Sequence, residues 1–388
     1  MTSLSLEIAP DIRWDDAAIK QFCEGVPYHV AGGRVTAVKG RTVSVEVSSV
    51  EIAGARERLT DLARTISRNL RDAAETVLFE YLGESVAARP DPMPALLESR
   101  AAIPTGRARF VYDGTLAELL YALDRFLETY ACSVGARRQI YPTTVETASL
   151  IRSGYLGSFP QHAFFVAPVA QSAANLAAIA RATEESGVDA PERSALGSHD
   201  QVLAPTVCYH CMESLRGTTL SGHQCFTAVN PCHRFEVLAG QSLERLQTFR
   251  MREIVCFGDG PYVASVLNAA LEWTSATLRG WGIPHRVVTA SDPFFTGAGG
   301  KGFFQSTFAL KREIRVRLDF SGQWLAIASF NDHQHSLTRA FEIRGNGESP
   351  RSGCVGWGYE RLVYALLARL GNAVADWPQA ARAAFCGL

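Results

Sequence analysis

Two short stretches constrain this chain more than any other feature: "CHRFE" at residues 232–236 and "RLQTFRMREIV" at residues 245–255. Each reads as a strand, and each carries charge that something must answer. Side chains of a strand alternate between its two faces. Arg234 and Glu236 therefore share one face, and His233 and Phe235 the other. A charged pair on a strand face has to meet water, a ligand or a metal, because burying either member alone is costly. The second stretch adds Arg245, Phe249, Arg252 and Glu253. Two antiparallel strands lined by arginines and an aromatic ring suit a nucleotide. Guanidiniums grip phosphate in a bidentate fork, and the ring stacks on the base.

The rest of the chain narrows what such a pair can belong to. At 388 residues it is too long for one small core, which implies one large domain plus a further module. A hydrophobic content of 47% excludes disorder. Lys plus Arg (38) nearly cancels Asp plus Glu (39), a weak basis for holding long nucleic acid through its phosphates. No run of about 18 apolar residues is present, so no membrane span is expected. The opening "MTSLSLEIAPDIRWDD" lacks the basic and apolar regions of a secretory signal. Nine cysteines, odd in number and without period, do not form a disulfide framework. Together these imply a cytoplasmic protein whose thiols are core fillers or metal ligands.

Residues 28–50 alternate as a hairpin would, and Leu59, Leu62, Ile66, Leu70, Ala73 and Val77 keep the spacing of one buried helical stripe. Arg64, Arg68 and Arg71 lie on another face of that helix, read as solvated and balanced by Asp61, Asp72 and Glu75, or alternatively as a docking surface. The Pro-rich run 88–106 is the expected linker, dividing an N-terminal hairpin-plus-helix module (1–104) from a larger domain (105–388). Helical spacing returns at 116–131, strands are expected at 308–320 and 324–330, and a buried helix ends at Gly371. Strands and helices neither alternate strictly nor repeat, which favours an α+β fold with a mainly antiparallel sheet.

Some motifs fail on context. "GAGGKG" (297–302) has dinucleotide-loop spacing but follows no strand and opens no helix. "CYHC" (208–211) has no second pair to complete a zinc ribbon, so at most one of its cysteines is expected as a ligand.

The two stretches do resemble motif 2 of the class II aminoacyl-tRNA synthetases: His, then Arg-x-Glu, a loop, and Arg-x-x-x-Phe. "RRQIYPTTVETASLIRSGYLGSFP" (137–160) resembles motif 1, with Pro142 at its proline, and "GCVGWGYERLVYALLARLG" (353–371) resembles motif 3, with Arg361 at its arginine. The likeness covers about residues 110–388. Within class II, "VCYHC…CHRFE…GCVGWGYER" is similar to the zinc-dependent branch that includes the atypical archaeal seryl enzymes. The short N-terminal module points further, to the amino acid:[carrier protein] ligases, which combine such a core with little tRNA-binding apparatus.

The resemblance implies a class II antiparallel sheet flanked by helices, in a homodimer. It implies zinc held by Cys208, Glu236 and Cys354, with a fourth position open to the substrate's amino group. It implies ATP with magnesium held by Arg234, Arg245, Phe249 and Arg361, of which Arg234 and Arg361 are the catalytic pair. Ala326 stands where seryl enzymes have a magnesium-binding acid, and Glu253 is the expected substitute. By position in the family pattern, Lys311, Glu313, Ser329 and Asn331 form the substrate pocket. Cys232 is expected as a packing residue, since Glu236 supplies that strand's ligand, and His233, His333 and His335 as satisfied polar residues. The implied reaction activates a small amino acid, glycine or alanine, as its adenylate and passes it to the phosphopantetheine thiol of a carrier protein. A seryl-like enzyme charging tRNA is the main alternative, disfavoured by the near-neutral charge, and a catalytically silent paralogue is the other.

Overall fold

The computed structural model describes residues 2–30, 33–48, 52–69, 76–84, 86–186, 195–198, 200–236, 240, 242–290, 310–346 and 349–385. Contacts divide the chain into two compact units, one of residues 1–76 with 289–310, the other of 77–288 with 311–388.

The first unit is built from β1 (Thr2–Glu7), α1 (Asp16–His29), β2 (Arg34–Lys39), β3 (Thr42–Val47) and α2 (Ala55–Asn69). The strands form an antiparallel sheet in the order β1-β3-β2. The expected hairpin is β2–β3, turned at Gly40, whose φ of +58° favours glycine. Alternation puts Val43, Val45 and Val47 on one face, where they meet Phe22 and Val26 of α1 and Leu59, Leu62 and Ile66 of α2. Of the expected stripe, Leu70 and Ala73 lie outside the described residues, as does Arg71, and Val77 opens a strand instead of continuing the helix. Arg64 pairs with Asp61 at 3.5 Å on the exposed surface, in keeping with a solvated face.

The second unit adds β4 (Val77–Tyr81), a hairpin of β5 (Ala102–Gly106) and β6 (Arg109–Tyr112), α3 (Gly114–Ser133) and β7 (Arg137–Arg138). A small sheet holds β8 (Thr144–Glu146), β9 (Phe165–Val166) and β10 (Gln201–Leu203). There follow α4 (Cys208–Ser214), β11 (Gln224–His233), β12 (Thr248–Gly258), α5 (Gly260–Gly280), β13 (His285–Thr289), β14 (Lys311–Leu318), β15 (Gln323–Gln334), β16 (Arg351–Gly358) and α6 (Tyr359–Leu370). An eight-stranded sheet runs β4-β13-β14-β15-β16-β12-β11-β7, antiparallel from β14 through β11 and parallel where β7 joins. This is the α+β architecture expected. One sheet face carries the main core, with Ile254, Cys256, Phe330, Val355 and Trp357 packed on Leu123 of α3, Leu267 of α5 and Leu366 of α6. Gly371 ends α6, its amide bonded to the Leu367 carbonyl.

Two organisational expectations need correcting. The run 88–106 is no linker, because Met93, Leu96 and Ala102 are buried in the main core. The Pro-rich composition masked apolar residues that fold a short helix, Met93–Glu98, and β5 onto that core. The division between units accordingly falls after Thr76, not at 104/105. "GAGGKG" and the neighbouring "DPFF" lie outside the described residues. Among the described residues, no helix is long and apolar enough to cross a membrane.

Candidate active site

The site occupies the sheet face opposite the one that packs on α3, α5 and α6. On β12, Arg252, Ile254 and Cys256 point to the helical side, so Phe249, Met251, Glu253 and Val255 line the other. Pairing with β16 sets Glu253 opposite Gly356 and Val255 opposite Cys354. Pairing with β15 then sets Gly356 opposite Ser329 and Cys354 opposite Asn331, and β14 continues the rows with Glu313 beside Ser329 and Lys311 beside Asn331. Gly356 and Gly358 have no side chains, so β16 forms the floor of a trench whose walls are β12 and β15. A Cβ at Gly356 would come within 2.7 Å of Met251 Cε, 3.5 Å of Ser329 Oγ and 3.6 Å of Glu253 Cγ.

One end of the trench holds two thiols and a carboxylate. Cys208, at the start of α4, Glu253 and Cys354 are all buried, and their ligand atoms lie within 4.8 Å of one another. Thr206 Oγ1 donates to Glu253 Oε1 at 2.6 Å and the Val207 amide to the same oxygen at 3.3 Å. Glu253 Oε2 is buried with no hydrogen-bond partner. Burial pushes the Glu253 carboxyl up, although Thr206 and the Val207 amide pull it back. The hydrogen bond with Cys354, then burial, holds the Cys208 thiol well above its ordinary value. For Cys354, burial and the Glu253 charge outweigh the hydrogen bond from Cys208, and its pKa is raised as well. Three buried acids drawn together, all with raised pKa values and one with a bare oxygen, are a donor set that fits a divalent cation with a preference for sulfur.

The third member of this set corrects the sequence reading, which named Glu236. Strand β11 ends at His233, so the alternation that put Glu236 on the site face stops before reaching it. Glu236 instead pairs with Arg245 at 3.5 Å. Glu253, expected near ATP, is the carboxylate between the thiols. Cys211 is buried among Met212, Phe226 and Phe257, away from that role, and Cys232 packs with Val207 and Ala228.

The other end of the trench gathers arginines around a ring. The Arg234 guanidinium lies 5.3 Å from the centre of the Phe249 ring, while its Nε donates to the Pro205 carbonyl and its amide to the Gln247 carbonyl. Arg361, on the first turn of α6, donates from Nε to the Glu244 carbonyl at 2.6 Å and from Nη1 to the Ala326 carbonyl at 3.3 Å. Burial lowers the Arg361 pKa, and the like charges of Arg245 and Arg234 lower it further, against Glu236 and Glu313. The charges of Arg234 and Arg245 thus bear on the buried Arg361, and an anion there would offset them.

The far wall is polar and internally paired. Lys311 Nζ stands 3.3 Å from Glu313, and Arg315 stands 2.9 Å from it on the other side. Burial would raise the Glu313 carboxyl, but these two cations outweigh it and hold it below its ordinary value. Asn331 donates from Nδ2 to Ser329 Oγ at 3.3 Å and to Cys354 Sγ at 3.5 Å, which ties this wall to the thiol end. The sheet face therefore brings together Arg234, Phe249, Glu253, Lys311, Glu313, Ser329, Asn331 and Cys354, with Cys208, Arg245 and Arg361 reaching in from neighbouring segments.

No family model matches the chain. The chain is 33% identical over 247 residues to amino acid–[acyl-carrier-protein] ligase 1 of Bradyrhizobium diazoefficiens, covering 62% of this chain and 74% of that one. The chain belongs to the amino acid–[acyl-carrier-protein] ligase family. It is also 26% identical over 297 residues to the type-2 serine–tRNA ligase of Methanopyrus kandleri, covering 71% of this chain and 56% of that protein. Among solved structures, M. kandleri seryl-tRNA synthetase in complex with A. aeolicus tRNASec superposes with a TM-score of 0.73 at 22% identity, over 98% of this chain and 77% of that one. The fold is that of the class II synthetases.

Sequence reasoning missed the place of Glu253 between the two thiols, the anchoring by Thr206, and the reach of Met251 Cε over Gly356. A signal for the first was present. Glu253 lies four residues after Phe249, so strand alternation already put it on the ring's face.

Proposed function

We propose that this chain activates a small amino acid with ATP and transfers it to the phosphopantetheine thiol of a carrier protein. The observation that carries the reading is the trench itself: a two-thiol, one-carboxylate cluster at one end and an arginine-and-ring group at the other, on one sheet face, in a member of this ligase family. An amino acid lies within that interval with its amine toward the cluster and its carboxylate toward the arginines.

In the first step a carboxylate oxygen of the amino acid attacks the α-phosphorus of ATP, and the bond to pyrophosphate breaks. Such a displacement depends on positioning and charge neutralisation. Arg234 meets the charge that builds on the α-phosphate, Arg245 and Arg361 hold the outer phosphates, and Phe249 stacks on the adenine. Magnesium accompanies ATP, and with Glu253 drawn to the thiols, the carboxylates near the arginines are Glu236, Glu244 and Glu313. In the second step the carrier thiol's sulfur attacks the carbonyl of the mixed anhydride, AMP departs, and the thiol proton is lost to solvent.

Cys208, Glu253 and Cys354 would hold zinc. Bound there, it supplies a site for the neutral α-amine and so discriminates against substrates lacking one. Thr206 and the Val207 amide fix the carboxylate that points at it. A homodimer through the motif 1 region is part of the reading, supported by Ile140, which is 98% exposed there.

The deciding experiment is amino-acid-dependent pyrophosphate exchange into ATP across a panel of amino acids, with and without a zinc chelator. It is followed by product capture on a carrier protein or on total tRNA. Exchange with glycine or alanine, its loss on chelation and labelling of the carrier protein are expected. Labelling of tRNA alone overturns the carrier assignment, and exchange with no amino acid overturns the activation step.

A further inference from the structure

We infer that Met251, lying over Gly356, sets the size limit on the substrate's side chain. The inference rests on the activation reading and says what makes the substrate small. On β12 the ring of Phe249 and the carboxylate of Glu253 flank Met251 on the same face, each two residues away and so about 7 Å along the strand. A substrate with its carboxylate near Arg234 and its amine near Glu253 holds its α-carbon between those limits, beside Met251. Across the floor, the space above Gly356 is bounded by three atoms: Met251 Cε, Ser329 Oγ and Glu253 Cγ, all within 3.6 Å of where a Cβ would stand.

The other residues nearby leave that space to Met251. Asn230, its partner across β11, turns its amide to the Pro142 carbonyl at 3.0 Å. Ser329 Oγ accepts from Asn331. Met251 is only half-buried, so its thioether is the movable surface of the trench, and an unbranched side chain of this kind adapts its shape readily. It excludes by bulk and offers no polar group to reward a hydroxyl or a charge. The substrates it admits are glycine and alanine. Those it turns away begin at 2-aminobutyrate and include valine.

The test is pyrophosphate exchange by wild type, Met251→Ala and Gly356→Ala with glycine, alanine, 2-aminobutyrate and valine, with bound zinc measured in each protein. Met251→Ala removes three heavy atoms from the wall. It should raise kcat/KM for 2-aminobutyrate relative to glycine by about tenfold or more, in the range that one or two methylenes command in an apolar pocket. Gly356→Ala keeps Met251 and drives its tip into the trench, so it should shift the glycine-to-alanine preference several-fold toward glycine. The two variants move selectivity in opposite directions, which a general loss of folding cannot do. An unchanged preference in either zinc-bound variant overturns the inference. A wild-type enzyme that exchanges with none of the four strikes the activation reading itself, and this inference with it.

Discussion

Arg252 and Glu253 are neighbours on β12, both almost wholly buried, at 3% and 2% exposure, and they point to opposite faces of one sheet. Their surroundings differ in kind. Arg252 donates to Asp124 from Nε at 3.0 Å and from Nη2 at 2.6 Å, and to Thr227 Oγ1 from Nη1 at 3.2 Å. The Tyr359 hydroxyl and Glu128 lie close by. Glu253 has both its donors on one oxygen and nothing on the other. A buried charge kept for structure is closed on every side, because an unpaired one is costly. A buried carboxylate left open at one oxygen offers that atom to a cation, which is the place proposed for zinc. The same contrast separates Glu253 from Glu236, whose ion pair with Arg245 needs no metal to complete it.

Breaking the open side should cost most in function. Glu253→Gln keeps the volume and removes the charge, so bound zinc should be lost and amino-acid-dependent exchange should fall by roughly a hundredfold or more. Glu236→Gln should retain its zinc. Metal analysis of the two purified variants checks the distinction, and zinc lost from Glu236→Gln alone would reverse the ligand assignment.

The closed side should fail as stability. Arg252→Met removes the charge-assisted bonds to Asp124, which is 30% exposed and keeps the Tyr359 hydroxyl, and should destabilise the fold by roughly 1–3 kcal/mol. Chemical denaturation of the zinc-bound protein measures it. Zinc content of the protein that remains folded should be unchanged, since Arg252 faces the helices.

Glu360 offers a third buried carboxylate, intermediate between the two. It accepts the Arg250 amide at 2.9 Å and lies 3.5 Å from Arg250 Nη1, yet burial still pushes its pKa up to about 7. A carboxyl raised on folding favours the native state most at pH values below its unfolded pKa. That advantage is lost as pH rises through the folded value. Relative to Glu360→Gln, wild type should therefore lose roughly 3 kcal/mol between about pH 4.3 and pH 7. Denaturation of both proteins across that window reads the difference, and parallel curves would contradict it.

Smallest in effect should be Thr206→Val, which removes one of the two donors holding the Glu253 carboxylate in place. Loss of such a supporting hydrogen bond typically costs 10- to 100-fold in metal affinity. The low end, about tenfold, is expected here because the Val207 amide remains, and competition with a chromogenic chelator measures it.

Much of the molecule was legible in the chain itself. The α+β class, the helix that Gly371 ends and the β14–β15 pair come from local periodicity and spacing, and the three ordered motifs from the family resemblance. Arg234, Phe249, Arg361, Cys208 and Cys354 are named from the family resemblance, and the structure sets them along one trench. Sequence reasoning went astray where composition stood in for packing, as in 88–106, where prolines drew attention from Met93 and Leu96. It also departs from the structure where a ligand is carried over from the family pattern onto Glu236, which lies past the end of β11.

The sequence by itself determined which residues could do chemistry and which share a strand face, because alternation is a property of the backbone that each stretch carries alone. Wherever that stretch forms a strand, alternation alone puts Phe249, Met251 and Glu253 in one row. Only the tertiary structure decided that this row ends between Cys208 and Cys354. That outcome depends on where β11 stops and on the register of β12 against β16, strands separated by about a hundred residues. Register is set by the packing of the whole sheet on its helices, and no single stretch contains it. The bare oxygen of Glu253 and the methionine above Gly356 are consequences of that register.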